Sequence, residues 1–62
     1  MSTDGPELSS IHGSLDDLAR RVVEIADRRD ADPDDQVSAG LYEVDRSLRN
    51  ALRQLERVRR RL

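Results

Sequence analysis

Three aspartates at alternate positions, Asp30, Asp32 and Asp34, have the spacing of the first three oxygen ligands in a calcium-binding loop. Such a loop needs Gly at its sixth position to turn and Glu at its twelfth to close around the ion. Here the sixth position holds Asp35 and the twelfth Leu41, and helix capping explains the same acids without an ion. The single His12 has no second histidine, and the chain has no cysteine, so an imidazole or thiolate metal centre lacks its ligands. General acid–base and nucleophilic chemistry need titratable groups in a water-poor pocket, which two helices do not enclose. The expectation is therefore no catalytic residue, no metal and no cofactor, with His12 as an exposed polar side chain.

Arginine is the other residue type with a pattern. Arg46, Arg49, Arg53, Arg57 and Arg60 recur at helical spacing, with Arg59 and Arg61 beside the end of the row. On a helix this row lies opposite the apolar seam described below, where it would meet phosphates or an acidic protein partner. Against nucleic acid stand a sequence pI of about 5.2, Tyr42 as the one aromatic residue, and no nucleic-acid-binding motif around the row. The plain alternative is a solvated helix face with local pairs, Asp45 with Arg49 and Glu56 with Arg60. All eleven basic residues are Arg, which a GC-rich genome produces without selection on function. The net charge of −2 conceals a division along the chain. Residues 1–45 carry twelve acids against four Arg, a net of −8, and residues 46–62 carry seven Arg against Glu56, a net of +6. The two halves attract each other.

These side chains must be positioned by helices. Charged residues make up 39% of the chain and hydrophobic ones 35%, a balance that permits disorder unless the apolar positions are periodic. They are periodic. Val37, Leu41, Val44, Leu48, Ala51, Leu55, Val58 and Leu62 alternate steps of four and three, an unbroken heptad seam flanked by Leu52. Asp32 as N-cap, Pro33 in the first turn, and Asp34 and Asp35 near the positive end of the dipole predict a second helix over 33–62. Upstream, Leu8, Ile11, Leu15, Leu18, Val22 and Ile25 repeat in the same way and predict a first helix over 14–29. Residues 1–13 read as a flexible arm or as an early extension of that helix. Asp4 with Pro6 and Glu7 would cap an early start, and Ser14 with Asp17 a late one after Gly13. The polar residues 30–32 form the turn.

Within the second helix, Glu43, Ser47 and Gln54 occupy three positions of a five-residue Glu, Ser, Arg, Gln, Asp signature. In this stretch the chain resembles the actinobacterial anti-sigma factors that bind cyclic di-GMP. Asn50 stands where that family has Arg, and Val58 where it has Asp. These departures remove the anion-binding and guanine-reading groups, and the first helix carries no copy. What the resemblance implies is a nucleotide-sensing regulator, and it stands as an alternative.

The sequence predicts an all-α protein: an antiparallel two-helix coiled-coil hairpin over 14–62 that dimerises into a four-helix bundle. A turn this short makes the helices antiparallel neighbours and sets Ile25 near Val37, Leu18 near Val44 and Leu15 near Leu48. One hairpin of 62 residues without disulfide or metal buries too little to offset its ordering entropy, so a second copy is expected. Ala19, Val23 and Ala26, with the small column Gly40, Ser47 and Ala51, are the expected surface for it. No apolar run reaches membrane-spanning length, and the N-terminus lacks the pattern of a secretion signal, so a cytoplasmic location is expected. Function is expected to be non-enzymatic: a self-associating interaction or regulatory module, with a weak nucleic-acid binder through the Arg face as a further alternative.

Overall fold

The computed structural model describes residues 3–32 and 34–62. Helix α1 spans Asp4–Arg29 and helix α2 spans Gln36–Arg59, and the two pack against each other as an antiparallel hairpin. The Cα atoms extend over 52 × 15 × 10 Å, a flat rod two helices wide and one thick.

α1 runs without a break through residues 4–13, so neither capping pattern expected from the sequence operates. Asp4 lies inside the first turn, Thr3 occupies the N-cap position without a side-chain hydrogen bond, and the helix opens with Glu7 N–H donating to the Thr3 carbonyl at 3.2 Å. Ser14 is a mid-helix residue. Gly13 costs about 1 kcal/mol here relative to Ala. Leu8 and His12, both half-buried, bring packing to the segment around it.

The connection is longer than the expected 30–32. Asp32 is not the N-cap: its carboxylate accepts from Asp34 N–H at 3.0 Å in a local turn, and α2 is capped by Asp35. The Asp35 Oδ1 accepts from Val37 N–H at 2.9 Å and Ser38 N–H at 3.3 Å, while Oδ2 accepts from Arg29 Nε at 3.0 Å. One side chain thus starts α2 and ties it to the last turn of α1. Pro33, expected in the first turn, lies outside the described residues. At the other end α2 stops at Arg59, not Leu62, with Arg61 N–H and Leu62 N–H closing tightened turns onto Val58 and Arg59.

Between the helices the packing is rotated from the expected seam. Among the described residues, Ala19, Ala26 and Leu52 are buried, with Ser38 the one buried polar residue. Alanines at the line of closest approach let two backbones come near each other, and Leu52 fills the space toward the open end. The Ser38 hydroxyl donates to the Ala26 carbonyl at 3.1 Å, with Asp30 Oδ1 at 3.4 Å, so its burial leaves no unmatched polar atom. Leu15, Val22, Leu41, Leu48 and Leu55 are half-buried at the margin of this interior. Leu18, Ile25, Val37, Val44, Val58 and Leu62 are exposed. The side-by-side meeting of Ile25 with Val37 and Leu18 with Val44 is therefore not the hairpin's core. The alanines expected to receive a second copy are its core instead.

Candidate functional site

The hairpin has two unlike broad faces, and the polar one is closed by links between the helices. Tyr42 donates its hydroxyl to Asp27 Oδ1 at 2.6 Å, Arg49 Nη1 lies 3.3 Å from Asp16 Oδ1, and His12 Nε2 lies 3.5 Å from Glu56 Oε2. The hydrogen bond to Asp27, helped by partial burial and by the charges of Asp27 and Asp30, pushes the Tyr42 phenol up to about 12. At Asp35 partial burial works upward. The backbone N–H groups of Ser38 and Val37 and the Arg29 guanidinium outweigh it and hold the carboxyl below its ordinary value. His12 is half-buried against Glu56 and not a free polar side chain.

The other face is apolar. Ile11, Leu18 and Ile25 sit one heptad apart on α1, and Val37, Val44, Ala51 and Val58 one heptad apart on α2, continued by Leu62. The large members of both rows are between 40 and 64% exposed. The rows share one face because each is turned to the same side of the packed line. From Ala19, Leu18 lies one residue back, and from Leu52, Ala51 does, and antiparallel neighbours mirror that rotation. A groove lined jointly by Leu8, Ile11, Val58 and Leu62, with Asp4 and Glu7 at its rim, joins the rows at the open end.

The arginine row divides. Arg49 is half-buried and held by Asp45 at 3.2 Å and by Asp16 across the helices, so it belongs to the fold. Arg46, Arg53, Arg57 and Arg60 are exposed, and among the described residues none of them has an ion pair. The Glu56 carboxylate reaches Arg59 at 3.1 Å and not Arg60, the partner expected from spacing. Arg53, Glu56, Arg57 and Arg60 line a shallow surface groove. Glu43, Ser47 and Gln54 are all exposed, on the side of α2 turned away from α1. Gly40, Ser47 and Ala51 are exposed as well.

Asp30 Oδ1 lies 3.4 Å from the Ser38 hydroxyl, and Asp32 Oδ1 accepts from Asp34 N–H at 3.0 Å. Among the described residues no three His, Cys, Asp or Glu side chains gather in a way that would hold a metal ion. No described helix is long and apolar enough to cross a membrane. No family model matches the chain, and no curated protein or solved structure does either.

Proposed function

We propose that this chain is a non-enzymatic cytoplasmic module that completes its fold by pairing with a second copy through the apolar face, giving a coiled-coil four-helix bundle. Its outer surfaces then serve protein–protein interaction or regulation. The observation that carries the reading is the continuous row of exposed aliphatic side chains on one face only, opposite a face sealed by Asp16–Arg49 and Asp27–Tyr42. Contiguous apolar surface of this kind marks an interface, where scattered apolar residues would not. The exposed row runs from Val37 to Leu62 along α2 and from Ile11 to Ile25 along α1, long enough on both helices for a second hairpin to lie on it. The interior of one hairpin, with Ala19, Ala26 and Leu52 as its buried apolar residues, supplies little of the area that a fold of this length requires.

With the apolar face covered, Arg46, Arg53, Arg57 and Arg60 are the charged surface available to a further partner, and an acidic protein surface is the complement they fit. Val44→Asp tests the primary reading. Val44 is 44% exposed on the hairpin, so in a lone hairpin an aspartate there is nearly neutral. In the paired form it places an unpaired charge in a desolvated seam and abolishes assembly. Light scattering and circular dichroism on Val44→Asp, beside Arg46→Asp as the control on the outer face, distinguish the two. Unchanged mass and melting in Val44→Asp would refute the reading.

A further inference from the structure

We infer that the two copies stack with their turns at opposite ends, α1 lying on α1 and α2 on α2 of the second copy. This rests on the self-association proposed above and specifies its partner geometry. The apolar row of α1, Ile11, Leu18 and Ile25, is centred on Leu18. The row of α2, Val37, Val44, Ala51 and Val58, is centred between Val44 and Ala51, at Ser47 and Leu48. The links Ala26–Ser38, Asp16–Arg49, His12–Glu56 and Asp27–Tyr42 set the level of one helix against the other, and they put Leu18 level with the stretch 46–51. The two centres therefore lie at the same height. A single twofold axis through that height, in the plane of the interface and across the helices, matches both rows at once. It sets Leu18 against Leu18 of the second copy, Ile25 against Ile11, Val44 against Ala51 and Val37 against Val58. The groove between Ile11 and Val58 then receives Ile25 and Val37 of the second copy.

Apolar matching alone also permits the other stacking, turn beside turn with α1 on α2. Charge decides between them. The turn half, residues 24–45, holds eight acids against Arg28 and Arg29, a net of −6. The open end, residues 4–12 with 53–62, holds Arg53, Arg57, Arg59, Arg60 and Arg61 against Asp4, Glu7 and Glu56, a net of +2. Turn beside turn brings two strongly acidic ends together. Opposed turns bring each acidic end against a basic one, with Asp34 and Asp35 level with Arg61 and Arg60 of the second copy.

The chain has no cysteine, so single introduced thiols report the arrangement directly. At low ionic strength, oxidised Leu18→Cys is expected to run as a covalent dimer, because residues at the axis reach the short Cα separation a disulfide requires. Ile25→Cys alone is expected to stay uncrosslinked. Ile11→Cys and Ile25→Cys, unfolded together and refolded as a mixture, are expected to form the crosslinked mixed dimer, which keeps the test intact if Leu18→Cys folds poorly. A dimer in which Leu18→Cys crosslinks only with added Val44→Cys would overturn the orientation and leave self-association standing. A folded protein of monomer mass would overturn both.

Discussion

Asp35 shows what a single carboxylate does in a chain this small. It caps α2, accepts from Arg29, and so couples helix initiation to the closing of the hairpin. Replacing it with Ala is expected to lower Tm by roughly 4–8 °C, and Asp32→Ala, which removes only the turn bond to Asp34, by distinctly less; thermal melts of the two variants check this. The sign of the pH dependence follows from the direction of the shift. The Asp35 carboxyl is held below 3.8, so its stabilisation is present above that value and is lost as pH falls through the lower folded one. Tyr42 works at the other end of the scale. Its phenol is raised from 10 to about 12, so its contribution is complete below 10 and is lost as pH rises through 12. Tyr42→Phe is expected to melt below the unmodified protein near neutral pH, with the gap closing between pH 10 and 12. A gap that persists at the alkaline end would mean that the Asp27 bond is not its cause. Among four closely spaced aspartates the sequence favoured Asp32 because Pro33 follows it. Any of them has the chemistry of a cap, and the choice depends on the path of the turn, which residue types do not encode.

Two helices, their antiparallel pairing and their polar and apolar sides were legible from the heptad spacing, and their rotation about their own axes was not. The apolar stripe on each helix is wide enough for two neighbours, running from Ala19 through Val22 to Leu18 on α1 and from Leu52 through Leu48 to Val44 on α2. Spacing identifies the stripe without saying which edge meets the other helix of the hairpin. The alanines settle it, since the shortest side chains lie where the backbones are closest. Leu52→Ala is accordingly expected to cost about 2–5 kcal/mol in chemical denaturation, as for a buried leucine elsewhere. Leu48→Asp, at the margin of the hairpin interior, is expected to unfold the protein, and Arg53→Asp to leave it folded. Gly13 offers a gain. A Cβ there meets nothing within 4 Å, so Gly13→Ala is expected to stabilise α1 by about 1 kcal/mol.

The molecule as a whole is a thin rod whose charge is divided along its length and whose greasy side is open. The proposal of a partner rests on length and composition, because 62 residues without cysteine leave a single hairpin little core to bury. What the outer surface binds was not legible. Arg46, Arg53, Arg57 and Arg60 have no ion pair among the described residues, and charge without a shaped pocket selects a sign of partner but not an identity. Reversing Arg46, Arg53 and Arg60 together separates the roles left to them. If they meet an outside partner, helicity and mass are unchanged. If they steady the bundle against acids of the second copy, the variant melts earlier, and added salt weakens the unmodified protein in the same way.

Coverage of the apolar face by a second copy is read from the mass in solution, by sedimentation equilibrium across the micromolar range. A helical species at twice the 7.1 kDa of one chain is expected, with a Tm that rises with protein concentration because dissociation accompanies unfolding. A cooperatively folded species at 7.1 kDa, with a Tm indifferent to concentration, would contradict it.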